Sequence, residues 1–327
     1  MILSLHELEP NQEADFFARL TEKEPAKTKE GKPYLWVTFR DAHREVRFPV
    51  WSETAVYKEF KTLKSGMYCK LRAVYRVTPK FGTQLDILRI RPVEPGDEQD
   101  GFNETLLYPA AALPADKMFD ELQALSAAYI GKGKLLQIVT KILKEYRMTL
   151  LTGVASRQHH HNYIGGLLEH TLSVTKIAAA IADHYHQFCP ERAKDISKPL
   201  TIAGAVLHDI GKVREYEPAL GSHVHSAAGE LIGHAVLGRD IFREAAAEFE
   251  LEPDICTHLE HIILSHQRFP DWGAAKPPMS LEAMIVHHAD SCDALCGCFW
   301  NIFSQDTTEN ELTGKKNVIG YPLLKPK

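Results

Sequence analysis

The sequence predicts a chain of two parts, α and β in separate domains: a β-rich N-terminal domain built as a small five-stranded barrel, then an all-α helical bundle. Three observations carry this. β-branched and aromatic runs with period-two alternation fill residues 1–91, whereas apolar residues recur at helical spacing from Asp116 onward. Between them, residues 92–115 hold Pro92, Pro95, Pro109 and Pro114 among Glu94, Asp97, Glu98 and Asp100, a composition that disfavours helix and ladder alike and reads as a linker. At 327 residues, 44% of them hydrophobic, the chain is long enough for about two cores.

Taken in order, Asp15–Thr21 and Tyr34–Arg40 are β-rich, Glu45–Trp51 alternates cleanly, and Met67–Thr78 and Thr83–Arg91 are longer strand-like runs. Lys29–Pro33 is a turn, and Ser52–Leu63 reads as a short helix begun by a Ser cap. Five strands with a helix between the third and fourth is the order of an OB-like barrel. Tyr34 and Trp36 share one side of their strand, and Lys70 and Arg72 share one side of theirs with Tyr68 and Arg76. Aromatic platforms flanked by cations suit single-stranded RNA or DNA, although strand aromatics also fill barrel interiors.

Charge divides the same way. Residues 1–91 carry seventeen Lys and Arg against twelve Asp and Glu, and the remainder twenty-one against thirty-one, so a basic part that suits a polyanion precedes an acidic part that suits cations.

In the second part, Met118, Phe119, Leu122 and Leu125 share one face of a helix that starts near Asp116, a second helix follows Gly133, and the bundle runs to residue 304. A polar tail, 305–327, ends in Tyr321-Pro322-Leu323-Leu324-Lys325, apolar enough to pack on a neighbour in a homo-oligomer. No run approaches the roughly 18 uncharged apolar residues of a membrane helix. The acidic start, with Glu7, Glu9 and Glu13, does not read as a signal peptide, so a cytoplasmic protein without membrane contact is expected. The six Cys contain no C-x-x-C pair, which argues against a zinc ribbon or a disulfide framework.

The bundle also holds the chemistry. His170, the adjacent pair His208-Asp209, His234, His266 and Asp290 are spread along helices or helix ends, with Asp293 one turn beyond Asp290. Imidazole nitrogen with carboxylate oxygen suits Mn, Fe, Co, Ni or Zn, and an Asp beside a His lets one turn offer two ligands, one able to bridge two ions. Ligands gathered from several helices are a bundle's way of building a metal site. The pair Gly165-Gly166 before His170 would let substrate or metal approach the backbone, Gly211 suits a helix exit after Asp209, and Lys212 places a cation for a phosphate oxygen. Fifteen of the 17 His fall between 159 and 288, so several are bystanders; His160 and His161, just ahead of the first ligand helix, are candidates for contact with a scissile phosphate.

The order His, His-Asp, His, His, Asp resembles the HD phosphohydrolase superfamily in its two-metal form. The phrases HHHNYIGGLLEHT, LHDIGKVREY, GHAVLG, ILSH and HHADSCDA resemble more narrowly the YhaM-type 3'-5' exoribonucleases, in which an OB-like segment also precedes the HD part. That resemblance implies an HD domain over 116–304 and two divalent ions, Mn being the first choice. It implies that His170, His208, Asp209 and Asp290 hold one ion and Asp209, His234 and His266 the other. It further implies that Asp209 and Lys212 are catalytic, and that 5'-mononucleotides are released from the 3' end of single-stranded RNA. One departure follows His266, where the family has a second His and a short Gly-containing loop; this chain has Gln267-Arg268-Phe269-Pro270-Asp271-Trp272-Gly273, which leaves the substrate contacts of residues 267–278 open. Two other readings share the ligand set: an HD phosphohydrolase of a cyclic nucleotide or nucleoside triphosphate, and a di-iron HD-type oxygenase.

Overall fold

In Glu45–Trp51 burial follows polarity: Val46, Phe48 and Val50 point inward while Glu45, Arg47 and Trp51 are exposed, the period of two that a strand imposes. The computed structural model describes residues 2–78, 82–157, 159–220 and 224–326. From such segments it builds one sheet of β1 (Ile2–Ser4), β2 (Glu13–Lys27), β3 (Pro33–Arg40), β4 (Glu45–Trp51), β5 (Tyr68–Thr78) and β6 (Gly82–Pro92), with helix α1 (Tyr57–Thr62) between β4 and β5. The order is β4-β3-β2-β5-β6, all antiparallel, and β1 adds in parallel to β2. Strand β2 serves two neighbours, pairing with β5 through Glu13–Arg19 and with β3 through Arg19–Lys27, and its register shifts between Leu20 and Glu22. An irregularity there bends and twists the strand, which lets the sheet curl over Phe16, Leu20, Val37, Phe39, Phe60 and Leu71.

Three expectations are corrected. Among the described residues there are six strands, not five, because β1 spans only three residues and is too short to display a period. The barrel is not closed: among the described residues no ladder joins β4 to β6, and a cleft of about 220 Å³ is lined by both, including Pro49, Trp51, Gln84 and Leu88. Helix α1 starts at Tyr57 behind Val56 with no side-chain cap, so Ser52 does not begin it. Its other end is held instead by Lys23, whose Nζ donates to the carbonyls of Phe60 (3.1 Å), Lys61 (3.3 Å) and Leu63, a cation on the negative end of the helix.

The proline-rich stretch is held by ion pairs that local composition does not reveal. Pro95–Glu98 and Glu104–Leu107 form short 3₁₀ turns, and the buried Asp97 accepts from Arg91 (2.6 and 2.7 Å), Lys70 (3.1 Å) and the Glu94 amide (2.9 Å). The chain divides into two units between Ala110 and Ala111.

The second unit is helical: α2 (Ala115–Ile130), α3 (Lys134–Glu145), α4 (Arg147–Thr152), α5 (Gly166–Phe188), α6 (Lys198–Leu207), α7 (Lys212–Glu215), α8 (Ala227–Ile232), α9 (His234–Ala246), α10 (Pro253–Ser265) and α11 (Leu281–Gln305). Helix α6 is the hub. Ser197 caps it by accepting from the Leu200 amide, and Thr201 through Leu207 are all buried among α2, α5, α10 and α11. The tail folds back on its own unit: Leu312 bridges Leu324, the Thr313 amide donates to Leu323 O (2.9 Å), and Lys325 pairs with Asp306 at 2.7 Å. Leu323 is thus buried internally instead of awaiting a neighbour, though Tyr321 and Leu324 stay exposed. No described helix is long and apolar enough to cross a membrane.

Candidate metal centre

Five helices bring the six candidate ligands to one place. His170 lies in the second turn of α5, His208 ends α6, Asp209 occupies the turn before α7, His234 opens α9, His266 ends α10, and Asp290 lies in α11. Two glycines make the crossing possible, for reasons other than those expected. Gly211 has an ordinary helical φ, and a Cβ there would stand 1.9 Å from His234 O, so its role is to let α9 approach the turn. At Gly166 a Cβ would stand 2.1 Å from His161 O; it is the 159–165 loop, not substrate or metal, that lies against this backbone.

Two groups of donor atoms face each other across one carboxylate. His170 Nε2 stands 3.2 Å from His208 Nε2, 3.2 Å from Asp290 Oδ1 and 3.4 Å from Asp209 Oδ2. On the other side, Asp209 Oδ1 stands 3.5 Å from both His234 Nε2 and His266 Nε2. All four imidazoles are anchored through Nδ1: His170 to Asp293 Oδ2 (2.7 Å), His208 to Ala205 O (2.7 Å), His234 to Glu215 Oε1 (2.9 Å) and His266 to Ile263 O (2.7 Å). An acceptor at Nδ1 places the ring proton there and leaves the Nε2 lone pair turned inward, the outer-shell arrangement of metal-binding histidines. Asp209 Oδ1 is buried and has no hydrogen-bond partner among the described residues, which is costly for a carboxylate oxygen unless a cation meets it. The residues present therefore fit divalent ions, and the cluster is a candidate metal centre.

The electrostatics agree. Burial opposes charge on His170, but Asp209, Asp290 and Asp293 outweigh it and hold its pKa well above the ordinary imidazole value; a field that retains a proton there also favours a metal cation. Burial would raise the Asp209 carboxyl, yet Lys212, His208 and His170 hold it well below its usual range, so it stays ionised without solvent. Next to them, burial pushes His160 down to about 2, with the neighbouring cations adding to it, and His161 to about 4 despite Asp293.

Other expected contacts fall differently. Lys212 Nζ donates to Asp209 Oδ2 at 2.6 Å and is itself buried, so its cation is engaged with the central carboxylate; it also lines a cavity of about 290 Å³ with Gly153 and Tyr216. His160 and His161 stand beside the centre, their ring centroids 4.9 and 5.5 Å from that of His170. In the sheet, Tyr34 and Trp36 do face away from the core, on one surface with Trp51, whose ring centroid is 4.9 Å from that of Tyr34. Lys70 and Arg72, by contrast, are taken: Lys70 by Asp97 and Asp100, Arg72 by Glu13 (2.8 Å) and Asp15 (3.4 Å).

Sequence reasoning missed Glu215, Gln267 and Trp51. Gln267 Nε2 stands 3.0 Å from His234 Nε2, so the residue that replaces the family's second His reaches the centre. Trp51 carried a signal, because it closes the alternating strand with the parity of exposed Arg47. Glu215 carried none.

The profile of the "HD domain" family matches residues 167–295 of the chain. More narrowly the chain is YhaM-like. It is 28% identical over 294 residues to the 3'-5' exoribonuclease YhaM of Bacillus subtilis (strain 168), covering 89% of this chain and 87% of that protein. To the 3'-5' exoribonuclease YhaM of Listeria welshimeri it is 28% identical over 267 residues, 81% of this chain and 79% of that one. Among solved structures it is similar to the second OB-fold domain of replication protein A from Methanococcus maripaludis, at 19% identity and a TM-score of 0.22, over 29% of this chain and 96% of that one.

Proposed function

We propose that the protein is a metal-dependent 3'-5' exoribonuclease that hydrolyses single-stranded RNA, and DNA where it fits the same path, to 5'-mononucleotides. The observation that carries this is Asp209: its two oxygens face two separate donor groups, and one of them is buried without a partner. Similarity over 89% of the chain to proteins named 3'-5' exoribonuclease gives the polarity and the RNA preference. The two candidate sites are His170, His208, Asp209 and Asp290, and Asp209, His234 and His266, with Mn²⁺ the first ion to test. Ions bound there would supply Lewis acidity, polarising a phosphoryl oxygen and acidifying water.

The chain's own groups do the rest. Asp293, Glu215 and two helix-end carbonyls fix the imidazole tautomers. Lys212 holds Asp209 ionised and in place, and its cation would offset negative charge as it builds on a phosphate bound beside Asp209. His160 and His161, uncharged at neutral pH, stand beside His170 to contact the scissile phosphate through ring N–H groups. Tyr34, Trp36 and Trp51 offer bases a stacking surface on the 1–91 domain, while Lys70 and Arg72 reach phosphates only by giving up their carboxylate partners. We place the protein in the cytoplasm, where such RNA is found.

The test is a 5'-labelled single strand incubated with divalent metals, with and without oxygen. Shortening from the 3' end as a ladder, with release of 5'-mononucleotides anaerobically in Mn²⁺, is expected. Strict dependence on iron and oxygen, or no shortening in any metal, would overturn the reading.

A further inference from the structure

We propose that a polar cleft at the C-terminal end of α11 is a second nucleic-acid subsite, in which Lys315 and Lys316 hold the phosphate backbone of the strand upstream of the bond being cut. This rests on the exonuclease reading and adds to it where the rest of the strand goes. The cleft has a volume of about 630 Å³ and is lined by His159, Asn301, Gln305, Lys315, Lys316 and Asn317 among others, so amide, imidazole and ammonium groups face a space of nucleotide size. Part of its wall is the folded-back tail, which Asp306 ties down by accepting from the Gly314 amide (2.7 Å) and from Lys325.

Its position connects it to the metal centre. The Asn301 side-chain amide donates to His159 O at 2.8 Å, and a Cβ on Gly297 would stand 2.9 Å from His160 Cβ, so the histidine loop lies flat along α11. His159 lines the cleft, and the next residue, His160, packs against His170. Helix α11 supplies both ends of this path, Asp290 to the centre and Asn301 to the cleft, roughly 16 Å apart along an axis that rises about 1.5 Å per residue. An enzyme that cuts the last phosphodiester must let every upstream nucleotide leave on one side, over a surface that here belongs to an acidic part of the chain. Lys315 and Lys316 meet that need. Both are exposed, and neither has an ion-pair partner among the described residues, unlike Lys325, Lys70 or Arg72.

The test is the double variant Lys315→Ala, Lys316→Ala in the full chain, assayed on a dodecanucleotide and on a dinucleotide whose one phosphodiester fills the metal centre. The expected result is a KM about tenfold higher for the dodecanucleotide with less than a twofold rise for the dinucleotide. Direct titration of the dodecanucleotide should show a log–log salt slope shallower by about 1.4, two phosphates' worth for a single strand. The Lys315→Arg, Lys316→Arg pair should restore the wild-type KM. No change on the long strand, or equal losses on both, would overturn the subsite. A wild-type protein that fails to shorten any strand would instead defeat the exonuclease reading; the salt slope then still decides the subsite, an unchanged slope overturning it.

Discussion

The helical unit and the sheet unit handle charge in opposite ways. In the candidate metal centre Asp209, Lys212, His170 and His266 are almost wholly buried, each is oriented by a named partner, and one carboxylate oxygen is left unmet among the described residues. On the sheet, Arg72, Arg76 and Arg47 are half exposed and pair with Glu13, Asp86 and Glu24 across strands. Buried charge without complete compensation is expensive and persists where a ligand supplies what is missing, whereas exposed pairs are worth about 0–1 kcal/mol and break readily. A site for chemistry must be preorganised; a surface of exposed pairs can rearrange at little cost.

That contrast fixes the largest expected effect. Asp209→Ala removes the carboxylate that both donor groups share, so hydrolysis should fall to background, beyond the roughly 10²–10³-fold that losing a single electrostatic contact costs. Metal content and turnover on a labelled strand check it together. Near wild-type turnover would mean that the buried carboxylate is structural and that the two units do not differ as described.

Next in size come the anchors. Asp293→Asn and Glu215→Gln leave every candidate ligand in place but loosen His170 and His234, and metal affinity should drop by about 10–100-fold. Metal titration of the purified variants measures this, and saturating metal should restore most of the turnover. Failure of added metal to rescue would move these residues from orienting ligands to holding the fold.

Four of the six candidate ligands, His208, Asp209, His234 and His266, sit at helix ends or in the turn beside one, where a local pattern makes them legible. His208 and His266 even take their Nδ1 acceptors, Ala205 O and Ile263 O, from three residues earlier in the same helix. The anchors of the other two imidazoles were not legible in the same way, since Asp293 is 123 residues from His170 and Glu215 is 19 from His234; only tertiary packing pairs them. The sheet repeats this lesson. Period two put Tyr34 and Trp36 on one side of their strand without saying which way that side faces, and it could not reveal that Lys70 and Arg72 meet carboxylates 27 to 59 residues away. The three-residue β1 and the unpaired edges of β4 and β6 escaped for the same reason, being decided by closure geometry and not by composition.

A smaller effect belongs to the aromatic surface of the sheet. Trp51→Ala removes a half-exposed ring tilted against Tyr34, and base stacking is worth about 1–3 kcal/mol per base. Affinity for a long single strand should fall about tenfold, near the lower part of that range, as read by fluorescence anisotropy. A loss confined to thermal stability would instead make Trp51 a structural residue.

The smallest effect is a dependence on pH, and it asks whether the sheet contains any charge as firmly held as those of the metal centre. Asp97 is the candidate, buried and bridged to Arg91 and Lys70. The Arg91 guanidinium, with the Glu94 amide and Lys70, holds its carboxyl well below the usual value against the opposing effect of burial. A depressed carboxyl contributes stability that is fully present above its unfolded value of about 3.9 and is lost as pH falls below it. Asp97→Asn should therefore lower the urea midpoint of the sheet's unfolding at pH 7, and the gap from wild type should be unchanged at pH 5. It should narrow at pH 3, where the wild type begins to lose the same contribution. A gap that stays constant from pH 7 to pH 3 would mean that Asp97 acts through packing and backbone hydrogen bonds alone, unlike the buried charges of the candidate metal centre.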